Sequence, residues 1–366
     1  MNGEIYIGRA EDDTPVYLRL QDLLKGVLVC GQTGTGKTSL LYLIAIQLLR
    51  FGVKVWWLDS IKNDGLFLTQ LFLNVMLYFR LNQNFLYNPL QFSSGRSYEE
   101  IVLGFVEQFC RDFHLLLGSE TYLMQQVNET IGRSQHLGNS HAVTVREVQE
   151  TVRGDHVRTF RMLNYRDATQ GRLEFFLNNA GWTLDCRQGF DITRLAGTSF
   201  NLDLVGCQAD VQGFFAGDLI RSIISSRRAA KRLSNDLDLF IVFDEANRLF
   251  PRNQELSIAE SIPTLSFVSQ ISREYGVGLC GATQTPSFMA SSGLKSQSYV
   301  KILIGSLGSN EDYYDMCNVM GMNRDQVEWL KTHSKVGQAI VKLAGGEFTE
   351  PFLVRVPFVN VKGIVQ

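Results

Sequence analysis

The chain lacks the features that mark several classes of protein. Its 366 residues carry a formal net charge of −2, so it has no global basic surface for nucleic acid. A nucleic-acid contact would have to be a local groove, a loop or an oligomeric pore. The N-terminus has no basic segment followed by an apolar one, so we expect no secretory signal. The most apolar stretch, residues 65–79, is interrupted by Gln70 and Asn74 and is too short to span a membrane.

Disulfide and zinc patterns are also missing. The six cysteines show no CxxC or CxxH spacing, and several lie in apolar runs. This distribution predicts buried, free thiols in a reducing compartment, so we expect a cytoplasmic protein without a membrane segment. The cysteines are Cys30, Cys110, Cys186, Cys207, Cys280 and Cys317.

The chain does contain a complete P-loop, GQTGTGKT (31–38), directly after the apolar run VLVC (27–30). An apolar strand enters the loop and an amphipathic helix leaves it, which is the context that this motif requires. The glycines let backbone N–H groups turn toward phosphate oxygens, and the helix N-terminus adds partial positive charge. Lys37 would pair with the β- and γ-phosphates, and the Thr38 hydroxyl would bind Mg²⁺. The residues expected to hold ATP are Gly31, Gln32, Thr33, Gly34, Thr35, Gly36, Lys37, Thr38 and Ser39.

An acidic pair follows a second apolar strand, in the sequence LFIVFDE (239–245). Five apolar residues predict a buried strand whose end delivers Asp244 and Glu245 to the ligand edge of a parallel sheet. Asp244 suits the Mg²⁺ shell, and Glu245 would act as general base on the attacking water. A solvated acidic pair at a strand end is the alternative. The pair favours hydrolysis over kinase chemistry, because a kinase needs no such glutamate.

Two further residues flank a third strand, VGLCGATQ (277–284). Gln284, at its end, can hydrogen-bond the γ-phosphate or the lytic water; the alternative is that it only caps the loop. Arg273, just before the strand, can stabilise transition-state charge on the ATP of a neighbouring subunit. An ordinary surface arginine paired with Glu274 is the alternative for Arg273.

Strands alternate with helices over most of the chain, which predicts an α/β fold with a doubly wound, mainly parallel sheet. We expect a helix over 66–80, a helix over 209–232 and a helix over 257–275. The expected division is an N-terminal hairpin (1–22), a first core part (23–96), a mostly helical insertion (97–176) and a second core part with a C-terminal hairpin (177–366). A basic cluster, Arg227, Arg228, Lys231 and Arg232, ends one helix and is either a solvated helix end or a nucleic-acid contact.

Three segments together resemble the HerA/FtsK superfamily of DNA-pumping P-loop ATPases: GQTGTGKT (31–38), LFIVFDEANRLF (239–250) and SREYGVGLCGATQTPS (272–287). The placement of the insertion is similar to that of conjugative secretion and coupling ATPases. The resemblance implies a RecA-like core that uses ATP and Mg²⁺. It also implies that Lys37, Thr38, Asp244, Glu245 and Gln284 fill the nucleotide, metal, catalytic and sensor positions, and that Arg273 acts in trans.

Two functions follow as hypotheses. The first is a homo-oligomeric, hexameric ATPase that translocates duplex DNA through a central pore without regard to sequence, alongside a partner nuclease, relaxase or secretion or packaging component. The second is an ATP-gated ring or scaffold subunit of a conjugation, packaging or defence complex that recruits an effector. The acidic pair and Gln284 favour the motor, because a scaffold needs no water-activating glutamate.

Overall fold

The computed structural model describes residues 4–92, 96–136, 142–250, 252, 271–289, 293–345 and 350–360. The chain divides into two compact units. The first unit consists of Met1–Tyr78, Thr198–Val205 and Leu233–Gln366, and the second of Phe79–Gly197 and Gly206–Arg232.

Eleven described strands form one sheet, in the order β2-β1-β11-β10-β9-β3-β8-β7-β4-β6-β5. The central strands from β9 to β6 are all parallel, and antiparallel strands β10, β11, β1 and β2 extend the sheet on one side. The strands are β1 (Glu4–Arg9), β2 (Pro15–Arg19), β3 (Val27–Cys30), β4 (Lys54–Asp59), β5 (Met76–Arg80), β6 (Ser199–Asp203), β7 (Ser234–Phe243), β8 (Tyr275–Thr283), β9 (Val300–Ile304), β10 (Gln338–Leu343) and β11 (Phe352–Arg355).

The described helices, in chain order, are α1 (Leu20–Leu24), α2 (Lys37–Arg50), α3 (Gly65–Leu71), α4 (Tyr98–Asp112), α5 (Leu117–His136), α6 (Val145–Gly154), α7 (Phe160–Leu184), α8 (Ile192–Leu195), α9 (Ala209–Ala229), α10 (Ala246–Leu249), α11 (Leu294–Gln297), α12 (Asn310–Val319) and α13 (Arg324–His333). Two 3₁₀ turns cover Ser272–Glu274 and Pro286–Phe288. Within the described residues, no helix is both long and apolar enough to cross a membrane.

Helices pack on both faces of the parallel sheet in the first unit. The apolar side of α2, including Leu40, Ile44 and Leu48, shares one buried cluster with alternate residues of β3, β8 and β9. The opposite face at β8 is covered by the short helices α10 and α11. Gly281 permits this close packing, because a Cβ there would lie 2.4 Å from the Leu294 side chain. The sheet therefore has the two covered faces that its near-continuous apolar strands require.

The second unit is helical and has an aromatic core of its own. Phe109 of α4, Phe176 of α7 and Phe214 of α9 have ring centroids 4.7–6.3 Å apart and are fully buried. This unit is larger than the insertion expected at 97–176. Residues 209–229 read as an ordinary crossover helix in the sequence, yet their phenylalanines pack with α4 and α7.

One expected helix differs from the structure, and another lies mostly outside the described residues. The helix expected over 66–80 is wrong in its second half: α3 ends at Leu71, and Met76–Arg80 form β5 beside β6. A short apolar run can form either a helix or a strand. Here the run pairs with β6 at the edge of the sheet and is a strand. Most of the helix expected over 257–275 lies outside the described residues, and Tyr275 already begins β8.

Candidate nucleotide-binding site

The P-loop joins β3 to α2 at the carboxyl edge of the parallel sheet. Gly31 donates its N–H to the Thr283 carbonyl of the neighbouring strand at 3.2 Å. A Cβ on Gly31 would lie 2.2 Å from the Ile304 carbonyl oxygen, so only glycine fits there. Gly36 has φ +112°, a left-handed conformation that glycine adopts without strain, and α2 starts at the next residue. The backbone of the loop and the first turn of α2 therefore lie together at this edge of the sheet.

Lys37 is folded back onto the loop. Its Nζ donates to the carbonyl of Gly31 and, at 2.9 Å, to that of Gln32. Burial lowers the pKa of Lys37, while the nearby carboxylates of Glu245 and Asp244 oppose that shift. The ammonium is thus tethered beside the acidic pair, and phosphate oxygens can replace the two carbonyls as its acceptors.

The acidic pair is brought to the P-loop by strand order. β8 lies between β3 and β7, and all three run parallel, so their carboxyl ends meet at the same edge. Asp244 and Glu245 follow β7 directly and are 8% and 7% exposed. Burial first, and then the carboxylates of Asp64 and Glu245, raise the pKa of Asp244 to about 7. A cation bound among these carboxylates would relieve that cost.

Gln284 connects the P-loop to Glu245. Its Nε2 donates to Glu245 Oε1 at 2.5 Å, and its Oε1 accepts from the Thr33 hydroxyl at 2.6 Å. Both polar ends of the amide are therefore engaged, one by the loop and one by the carboxylate. From this position Nε2 can donate instead to a phosphate oxygen or a water molecule, and Oε1 can accept instead from a water molecule.

These groups line one cleft of about 220 Å³. Nine of its lining residues were expected from the sequence: Thr33, Gly34, Gly36, Lys37, Thr38, Ser39, Asp244, Glu245 and Gln284. Gly31, Gln32 and Thr35 support the loop from within. The Thr35 hydroxyl donates to the Gln32 carbonyl at 2.8 Å, and that carbonyl also accepts from Lys37.

The cleft also contains residues that sequence reasoning missed. Lys62 and Asp64 line it from the loop between β4 and α3. Buried Asp59 anchors this loop by accepting from Asn201 at 2.7 Å and from the Gly65 N–H at 3.0 Å. The signal was present in the sequence, because Asp59 ends a buried strand whose carboxyl end meets the same sheet edge. Ile61 and Phe358 complete the lining.

Arg273 lies away from this cleft. It precedes β8, whereas Gln284 follows it, and a nine-residue strand separates the two by about 30 Å. Arg273 is exposed and lines a small pocket at the opposite edge of the sheet. Among the described residues it has no ion pair with Glu274 or any other carboxylate. Arg273 therefore cannot touch a phosphate in the cleft of its own chain.

The cleft suits Mg²⁺ held jointly with phosphate. In the part of the chain that the structure describes, no three His, Cys, Asp or Glu side chains form a metal cage of their own. Asp244 and the half-buried Thr38 nevertheless supply oxygen atoms beside Lys37 in one cleft. Mg²⁺ is typically bound by one or two protein oxygens plus substrate phosphates and water, so this donor set fits the ion.

Comparisons with known proteins bear on the fold. No family model matches the chain, and no curated protein matches it. Among solved structures, VirB4 of Thermoanaerobacter pseudethanolicus superposes with a TM-score of 0.71 at 13% identity, over 99% of both chains. The unbound bacterial conjugative coupling protein TrwBΔN70 gives 0.67 at 12% identity, over 97% of this chain and 89% of that chain. The plasmid coupling protein TrwB in complex with ADP and Mg²⁺ gives 0.64 at 15% identity, over 94% and 88%.

These likenesses confirm the fold class expected from the sequence. The chain has the α/β fold of RecA-like P-loop NTPases, with a large and mostly parallel sheet. At 12–15% identity these likenesses show the fold alone, and the resemblance to the HerA/FtsK superfamily rests on the three sequence segments.

Proposed function

We propose that this chain is an ATPase and one subunit of a homo-oligomeric, hexameric ring that translocates duplex DNA through a central pore. The observation that carries the proposal is the hydrogen-bonded chain from Thr33 through Gln284 to Glu245, which joins the P-loop to an acidic pair in one cleft. A nucleotide-gated scaffold needs the P-loop but has no use for a carboxylate held in this way. Motor function is therefore favoured over the scaffold.

Binding of ATP would use groups that already converge. The N–H groups of the loop and the first turn of α2 meet the phosphates, and Lys37 exchanges its two carbonyl acceptors for phosphate oxygens. Thr38 and Asp244 would hold Mg²⁺, which neutralises phosphate charge when bound. TrwB has been solved with ADP and Mg²⁺ and with a non-hydrolysable ATP analogue, which supports this assignment by likeness of fold.

Hydrolysis would depend on Glu245 and Gln284. Glu245 accepts the proton of the attacking water, and the Gln284 amide fixes the orientation of the carboxylate through its Nε2. When a γ-phosphate oxygen replaces Gln284 Oε1 as the acceptor of the Thr33 hydroxyl, the amide loses its contact with the loop. The hydrogen bonds of Gln284, which follows β8, would thus change with the nucleotide state.

Assembly would bring Arg273 of one subunit to the cleft of another. Arg273 is exposed and lies about 30 Å from its own cleft, so it can complete only the site of a neighbouring subunit. An interface that pairs the P-loop edge of one copy with the opposite sheet edge of the next satisfies this geometry. Such head-to-tail contacts form a ring where the rotation from one copy to the next closes.

DNA contact would depend on that assembly. A chain with net charge −2 cannot hold DNA through its overall field, so a ring must concentrate loop cations around one axis. Contacts of this kind meet phosphates and carry no sequence information. One structural neighbour is a bacterial conjugative coupling protein, which is in keeping with DNA as the cargo.

The test measures DNA binding and assembly together. Glu245→Gln protein with ATP should form rings that bind two unrelated duplexes equally, with affinity falling steeply from low to physiological salt. Lys37→Ala alone is the matched control, because it cannot bind ATP and should neither form rings by itself nor bind DNA. Tight binding by the monomer without nucleotide contradicts the pore, and assembled rings that bind no DNA favour the scaffold.

A further inference from the structure

Among the described residues, one aromatic side chain lines the cleft: Phe358, in the segment that follows β11. Its ring is 80% exposed and makes no ring contact with any aromatic side chain in the described part of the chain. A single exposed phenylalanine is common on protein surfaces and by itself means little. This one differs because it lines the cleft that holds the P-loop.

The segment that carries Phe358 is fixed to the P-loop at two points. The N–H of Val359 donates to the Ser39 hydroxyl at 2.7 Å, which ties the segment to the first turn of α2. The N–H of Val356 donates to the Gly337 carbonyl at 2.8 Å, and Gly337 in turn donates to the Thr35 carbonyl at 3.2 Å. The ring therefore stands on backbone that is hydrogen-bonded to the first turn of α2 and, through Gly337, to the P-loop.

Phe358 and the reacting groups are connected to different residues of the P-loop region. Gln284 and Glu245 are joined to the loop through Thr33, so the γ-phosphate belongs on that side. Phe358 is joined through Ser39, two residues into α2. A nucleotide whose phosphates run along the loop toward Glu245 leaves its base at the end where the phenyl ring stands.

We infer that Phe358 is the platform on which the base of the bound nucleotide stacks, an inference that rests on the proposed ATP site. The ring offers a π-face, and stacking accepts any base because every base has one. The ammonium and amide side chains of the described lining serve the other end: Lys62 interacts electrostatically with Asp244 and Lys37, and Gln284 donates to Glu245. The site therefore does not distinguish adenine from guanine.

The test compares ligands with and without a base. Binding of non-hydrolysable ATP and GTP analogues and of inorganic tripolyphosphate, each with Mg²⁺, is measured by calorimetry on the full chain. Phe358→Ala should weaken both analogues about tenfold and by the same factor, since stacking on an aromatic ring is worth about 1–3 kcal/mol. Tripolyphosphate has no base and should bind both proteins equally, and Phe358→Trp should restore the analogues.

Phe160→Ala is the matched control, because Phe160 is 79% exposed and lies in the helical unit. The base platform is overturned if Phe358→Ala leaves the analogues unchanged, or if tripolyphosphate loses affinity to the same degree. If the parent protein binds neither tripolyphosphate nor the analogues, the proposed ATP site itself fails, and the inference fails with it.

Discussion

Replacing Asp244 with asparagine should change how the stability of the ligand-free protein depends on pH. Asp244 is 8% exposed, and its pKa is raised to about 7 by burial first and then by the carboxylates of Asp64 and Glu245. Asparagine has nearly the same shape and cannot ionise. The variant therefore removes one buried titration and leaves the packing of the site in place.

The sign and the size follow from proton linkage. Between about pH 4 and pH 7 the native state holds a proton on Asp244 that the unfolded chain has released, so the free energy of unfolding falls as pH rises. The slope is about 1.4 kcal/mol per pH unit and vanishes above pH 7, where both states are ionised. Between pH 6 and pH 8, ionisation of Asp244 thus lowers the free energy of unfolding of the parent protein by about 1.4 kcal/mol. Asp244→Asn does not show this loss.

The assay is urea unfolding at pH 6 and pH 8 in EDTA, without nucleotide. The loss in free energy of unfolding between the two pH values should be smaller in Asp244→Asn by about 1.4 kcal/mol. Asp325→Asn removes an exposed carboxylate of α13 and should keep the loss of the parent. Equal losses in the parent and Asp244→Asn would refute the claim that buried, mutually repelling carboxylates form this part of the cleft.

Four further predictions concern the reaction. Lys37→Ala should abolish ATP binding in a filter or calorimetric assay, because it removes the ammonium that meets the phosphates. Glu245→Gln should keep ATP affinity and lower steady-state turnover at least about a hundredfold, since the general base is lost. Gln284→Ala should lower kcat about a hundredfold with little change in nucleotide affinity, and an unchanged kcat would reduce Gln284 to a loop cap. Arg273→Ala should bind ATP but hydrolyse it poorly, and mixing it with Lys37→Ala should restore part of the activity; no recovery in mixed rings would exclude action in trans.

The parts of the site that the sequence predicted are those that depend on residues close together along the chain. The P-loop, Asp244, Glu245 and Gln284 each follow an apolar strand, and parallel strands bring their ends to one edge. The fold class followed from the same alternation of strands and helices. These features need no knowledge of distant contacts.

The parts that were missed depend on contacts between distant residues. Lys62 and Asp64 reach the cleft because Asp59 is bonded to Asn201, 142 residues away along the chain. Phe358 reaches it because Val359 is bonded to Ser39, 320 residues away. Likewise β5 became a strand through its neighbour in the sheet, and α9 joined the helical unit through its phenylalanines.

The most direct test of the account is phosphate release by the full chain, measured with and without duplex DNA at low salt. The account predicts ATP turnover that duplex DNA of any sequence raises severalfold, and that Glu245→Gln abolishes with and without DNA. Turnover that DNA leaves unchanged, in rings that assemble with ATP, would contradict the translocase and favour the scaffold. Absence of any turnover sensitive to Glu245→Gln would contradict the ATPase itself.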